Sequence, residues 1–153
     1  MGGFTASLAA TNISYPIALI PILSGTCASV TYSKGILSDA VGWDVLKKEL
    51  ESKEFQENIR GIKNQHWLDE LDEYVKKYPE EDKTREFLRI MMREFTFLGN
   101  YPQLKDPSLA TVIIAESDSY VLQDETPPFA KVWPGSEMVV IPGLFIGKAD
   151  IKI

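Results

Sequence analysis

The sequence predicts an α/β fold with about three parallel strands, flanking helices and a helical insertion. Three observations carry that expectation. The first third of the chain is apolar and uncharged, the last third holds two compact aliphatic runs, and the charge is concentrated between them. Of 16 basic and 22 acidic residues, none lies in 1–33, 27 lie in 34–98 and 11 in 99–153. At 153 residues the chain suits a single domain with a sizeable core. The order strand, helical insertion, strand, crossover, strand is the layout of a parallel sheet with a helical cap.

The elements follow in chain order. Phe4 to Ala10 is small and apolar with no polar face, as expected of a helix covered on all sides. Gly2-Gly3 ahead of it looks like the end of a nucleophile elbow, G-x-S-x-G-G, in which case the chain starts one residue after the serine. Tyr15 to Leu23 is a continuous apolar run of the kind that forms a parallel strand, with Pro16 near its start and Pro21 disturbing its ladder. In the middle part, Leu46, Leu50, Phe55 and Ile59 predict one amphipathic helix. Trp67, Leu71, Tyr74 and Tyr78 predict a second, stopped by Pro79, and Thr84 to Leu98 a third, stopped at Gly99-Asn100. Ala110 to Ala115 and Glu137 to Ile141 read as strands, the latter ended by Pro142-Gly143. Between them, Thr126 to Trp133 has room for a short crossover helix starting at Pro127-Pro128.

Composition excludes several classes of function. The net charge of −6 argues against a nucleic-acid surface, which needs clustered Lys and Arg. Cys27 is the one cysteine and His66 the one histidine, too few for a disulfide framework or a structural zinc site. No metal or other cofactor is expected. The uncharged start lacks the basic n-region of a signal peptide, and Asn12, Ser14, Pro16 and Pro21 interrupt it too often for a membrane span. Ala6 stands where a myristoylation motif wants Ser or Thr.

In an open parallel sheet, functional groups gather at the carboxyl ends of strands. Asp118 is placed there, in the turn Glu116-Ser117-Asp118-Ser119-Tyr120. One reading makes it the acid of a catalytic triad, orienting a histidine and stabilising its imidazolium. The other makes it a turn residue that accepts nearby backbone N–H groups. A Cys27 and His66 pair is a further candidate, since a thiolate needs a base and a polar setting. Neither spacing nor motif favours it, and His66 begins a charged amphipathic helix. Trp67, Tyr74, Tyr78, Phe87, Phe95 and Phe97 would serve as core at helical spacing, or line an acyl-chain groove.

Further stretches carry a family resemblance. Gly2-Gly3-Phe4-Thr5-Ala6-Ser7-Leu8-Ala9, Ala28-Ser29, Gly35-Ile36-Leu37-Ser38 with Trp43, Asp106-Pro107-Ser108-Leu109, Glu116 to Tyr120 and Trp133-Pro134-Gly135-Ser136-Glu137 resemble, in order and approximate spacing, the α/β-hydrolase domain-containing protein 18 family. The resemblance runs from Gly2 to about Gly143 and covers the second half of the family's domain, which implies a partial α/β-hydrolase fold in one domain. It implies a serine hydrolase acting on ester bonds of lipid-like substrates through a Ser, Asp and His triad. Of that triad only the acid carries over, as Asp118. The nucleophile would precede Met1, and the family's histidine, expected in a G-G-H sequence, is replaced near Phe145 in Gly143-Leu144-Phe145.

The expectation is therefore a chain inactive as it stands. Without a serine there is no acyl intermediate, and without histidine a hydroxyl keeps its proton at neutral pH. The oxyanion hole would lose a donor at Met1. Expected partners are a lipid or ester small molecule, and a partner chain covering a sheet edge exposed along Ile17 to Leu23, since such an edge otherwise aggregates. Family members are expected to carry N-terminal secretory or mitochondrial targeting. The alternatives are a non-catalytic pseudo-hydrolase that binds lipid or protein, and a hydrolase built on Cys27 and His66.

Overall fold

The two aliphatic runs of the last third pair in parallel, as β1 (Thr111–Asp118) and β2 (Glu137–Ile146). The computed structural model describes residues 2–61 and 66–147. The register runs from Thr111 opposite Glu137 to Ala115 opposite Ile141, then resumes with Ser117 opposite Phe145 and Asp118 opposite Ile146. Pro142-Gly143 therefore does not end the second strand, contrary to the sequence reading. The chain bulges there: Pro142 has no N–H for the ladder, Gly143 takes φ 69°, and its N–H donates to the Glu116 carboxylate at 2.7 Å. Pairing then resumes and carries Asp118 to the last position of β1.

The third stretch expected as a strand is not a regular one, and its sequence explains why. Leu19 pairs with Ala110 and Ile22 with Ile113 as isolated parallel bridges. The Leu19 N–H donates to the Leu109 carbonyl, and the Thr111 and Ile113 N–H groups donate to the Leu19 and Pro21 carbonyls. Leu23 donates to the Ile113 carbonyl. Between these bonds Pro21 has no N–H to donate, and Leu23 then turns to φ 51°. The result is a two-stranded parallel sheet flanked by an extended, partly bonded segment.

On one face of the sheet lies the first core. Leu19, Ala110, Val112 and Ile114 pack with Ala10 of α1 (Gly2–Thr11) and with Phe129 and Val132 of α7 (Phe129–Val132), the crossover helix. Trp133 closes it, 5.1 Å from the Phe129 ring. α1 is a helix as expected but is not covered on all sides: Ser7, Ala10 and Thr11 are buried, while Thr5, Ala6 and Ala9 are exposed, because the described residues pack against only one side of it. The opposite sheet face is open. Period-two alternation puts Ile20, Ile22, Ile113, Val139 and Ile141 there, with Ile20 63% and Ile22 55% exposed.

The charged middle builds a second core from α3 (Trp43–Glu51), α4 (Lys53–Gly61), α5 (His66–Lys77) and α6 (Lys83–Thr96). Leu50, Trp67, Leu68, Leu71, Phe87 and Ile90 meet in it. The single helix expected over Leu46 to Ile59 is two, because Ser52 leaves helical geometry at ψ 140° and its Oγ accepts the Phe55 N–H, capping α4. A short helix unforeseen from sequence, α2 (Ser29–Ser33), joins the halves. Arg85 of α6 donates to the Ser33 carbonyl and stacks over Trp43. Of the aromatic residues weighed as a groove, Trp67 and Phe87 are buried in the helical core and Phe97 packs against the sheet core, while Phe95 and Tyr78 are exposed.

Candidate functional site

Asp118 sits at the carboxyl end of β1, and its contacts are those of the turn reading. Its Oδ1 accepts the N–H groups of Tyr120 at 2.8 Å and Val121 at 3.0 Å, which fixes the carboxylate and shapes the turn. Its Oδ2 receives no hydrogen bond from any described residue. The side chain forms part of the wall of two cavities, of about 830 and about 430 Å³.

The turn is held close to α2 by glycine. The Ile36 N–H donates to the Ser119 carbonyl at 3.0 Å, and a Cβ on Gly35 would stand 2.9 Å from the Thr31 carbonyl oxygen and 3.2 Å from that of Tyr120. Only a residue without a side chain at position 35 lets these backbones approach. At Gly25, at the end of the Ile17 to Leu23 segment, a Cβ would instead meet a side chain, 2.7 Å from Val121 Cγ1.

The larger cavity is acidic. Asp39, Glu116, Asp118 and Glu125 line it with a single ammonium group among the described residues, Lys34, which is paired to Glu125 at 2.8 Å. Phe145, on the neighbouring strand, lines this cavity too and is 62% exposed. The smaller cavity is mostly apolar, walled by Phe4 of α1, Leu23, Ala28, Leu37 and Val121, with Ser24, Thr31, Tyr32 and Tyr120 also in its lining. Sequence reasoning did not find this cavity, which is assembled from residues of α1, of α2 and its flanks, and of both strand ends.

Cys27 and His66 are not brought together. The Cys27 thiol is buried and donates to Ser29 Oγ at 3.1 Å, with Thr96 Oγ1 at 3.5 Å. His66 stands on α5 with its side chain 76% exposed, 3.5 Å from Glu94. No group of three or more His, Cys, Asp or Glu side chains that would hold a metal occurs among the described residues. Shifted titrations lie on the helices instead. Donating to Glu81 pushes the Tyr74 phenol up to about 12, and the Arg60 guanidinium hydrogen-bonded to Asp72 holds that carboxyl below its ordinary value.

Met1, expected to follow the nucleophile, and the residues from Lys148 onward lie outside the described residues, as do Asn64 and Gln65 beside His66. Among the described residues no helix is long and apolar enough to cross a membrane. No solved structure matches the chain. The family model described as "Alpha/beta hydrolase domain containing 18" matches residues 1–149, nearly the whole length, and includes the strand ends that carry Asp118 and Phe145. With a parallel pair, a crossover helix and an acid at the carboxyl end of a strand, the chain belongs to the alpha/beta hydrolase domain containing 18 family.

Proposed function

We propose that this chain carries the acid of an ester-hydrolysing α/β-hydrolase site, with Asp118 in that role, and is catalytically silent by itself. One observation carries the reading. Asp118 has one oxygen fixed by two backbone N–H groups and the other unbonded by described residues, at a cavity wall shared with Phe145, where the family's histidine is expected. A phenyl ring takes up no proton, so position 145 offers Asp118 no imidazole to orient. Residues 34–98 then act as the cap of the domain, and the substrate is a lipid or other ester.

A second reading, a non-catalytic pseudo-hydrolase that binds lipid or protein, draws support from the apolar cavity and the open sheet face. The Cys27 and His66 reading draws none, because the thiol is held by Ser29 and Thr96 in the interior and the imidazole points to solvent beside Glu94.

The acid role is testable by restoring an imidazole. In the Phe145→His variant, an NMR titration should show the new side chain raised by about one pKa unit or more, since an adjacent carboxylate favours the charged ring. Adding Asp118→Asn should abolish that rise. An unshifted imidazole would sink the assignment of Asp118. Hydrolysis of p-nitrophenyl butyrate tests the silence: turnover by the unmodified chain that Asp118→Asn removes would contradict it, and turnover removed only by Cys27→Ala would favour the cysteine reading.

A further inference from the structure

We propose that the smaller cavity beside Asp118 binds an amphiphilic cation, a molecule with an apolar tail and a protonated amine head, the head donating to Asp118 Oδ2. The cavity encloses about 430 Å³ and Asp118 is the one charged side chain in its described lining. Most of the wall is apolar, including Phe4, Leu23, Leu37 and Val121, with Ser24 and Thr31 adding neutral hydroxyl groups. Apolar cavities of about 150 Å³ take up a benzene ring of six carbons, so this volume has room for a chain of about eight carbons or more.

Charge selects the head group. Asp118 Oδ1 is already committed to the Tyr120 and Val121 N–H groups, so a ligand meets an acceptor oxygen and not a donor. The adjoining acidic cavity, which shares Asp118 and Val121 with this one, carries Glu116 and Asp39, and its lysine is paired with Glu125. A carboxylate head would be repelled by Asp118, an alcohol would gain one neutral hydrogen bond, and an ammonium gains a charge-assisted one. Tyr32 and Tyr120 also line the cavity, and an aromatic ring attracts a cation held over its face. A carboxylate placed to hold an imidazolium is chemically suited to any N–H cation when position 145 carries phenylalanine. The proposal concerns binding and needs no hydrolysis, so it stands or falls apart from the catalytic reading.

The experiment is calorimetric titration of the whole chain at pH 7 with octylamine, octan-1-ol and octanoate. Octylamine should bind about tenfold or more tighter than octan-1-ol, the value of one charge-assisted hydrogen bond, and octanoate should not bind measurably. Asp118→Asn keeps an oxygen for the turn and removes the charge, so it should bring octylamine down to the level of octan-1-ol. Ala28→Leu, which narrows the cavity without touching the carboxylate, should weaken both. Octanoate binding as tightly as octylamine, or no octylamine binding at all, overturns the proposal on the unmodified chain alone. Unchanged octylamine affinity in a folded Asp118→Asn or Ala28→Leu variant overturns it as well.

Discussion

Gly35 carries more of the site than its size suggests. With the Thr31 and Tyr120 carbonyl oxygens at 2.9 and 3.2 Å from where a Cβ would sit, Gly35→Ala must push apart α2 and the Asp118 turn. Urea denaturation should show a loss of about 1–3 kcal/mol, the usual cost of overpacking a site that cannot relax. A second residue-scale test concerns Asp72, bound by both Arg60 amino groups at 3.2 and 3.0 Å. Its carboxyl is held below its ordinary value, so its contribution is complete above the unfolded pKa and fades as pH falls through the lower folded one. Asp72→Asn should thus destabilise the chain by about 0.2–1 kcal/mol at pH 7, the range of exposed pairs, and by less on acidification below pH 4. Thermal melts across that range decide it. At this scale the sequence announces Asp118 clearly, because a carboxylate after an aliphatic run is a local pattern. The 430 Å³ cavity is silent in sequence, since Phe4, Ala28, Tyr120 and Ile146 meet only through the sheet.

Element boundaries were legible where polarity changes sharply and hidden where one side chain redirects the backbone. α5 and α6 follow their apolar stripes closely. The break between α3 and α4 depends on one hydroxyl, Ser52 Oγ, accepting the Phe55 N–H at 3.1 Å, and periodicity runs across it unaltered because Phe55 and Ile59 still reach the same core. Ser52→Ala should cost about 0.5–2 kcal/mol as a lost N-cap, read from chemical denaturation. The continuation of β2 past Pro142-Gly143 was hidden for a related reason. Glu116, on the partner strand, accepts the Gly143 N–H, and no local signal around a Pro-Gly pair shows that a distant carboxylate will hold the bulge open and let the strand resume.

For the whole molecule, the decisive imbalance is between two cores and one covered sheet face. Parallel sheets are normally buried on both faces, yet Ile20, Ile22, Val139 and Ile141 stay accessible here. Self-association should therefore grow with concentration in sedimentation velocity runs, and Ile20→Lys with Ile22→Lys should suppress it. A monodisperse parent chain would show that the face tolerates water. The missing ladder bond at Pro21 divides the molecule more deeply than its small size implies. Four backbone hydrogen bonds tie the segment from Leu19 to Leu23 to the rest of the sheet, with a gap in the middle, whereas β1 and β2 share a continuous register on either side of a bulge. A sheet with such a seam should open there before it opens between β1 and β2, even though both sides share one core. Amide exchange at Leu19 and Leu23 should outpace that along β2 from Met138 to Ile141. The smaller cavity takes its wall from both sides of that seam, Phe4 and Leu23 on one and Asp118 and Ile146 on the other, so anything bound there would act as a bolt across it.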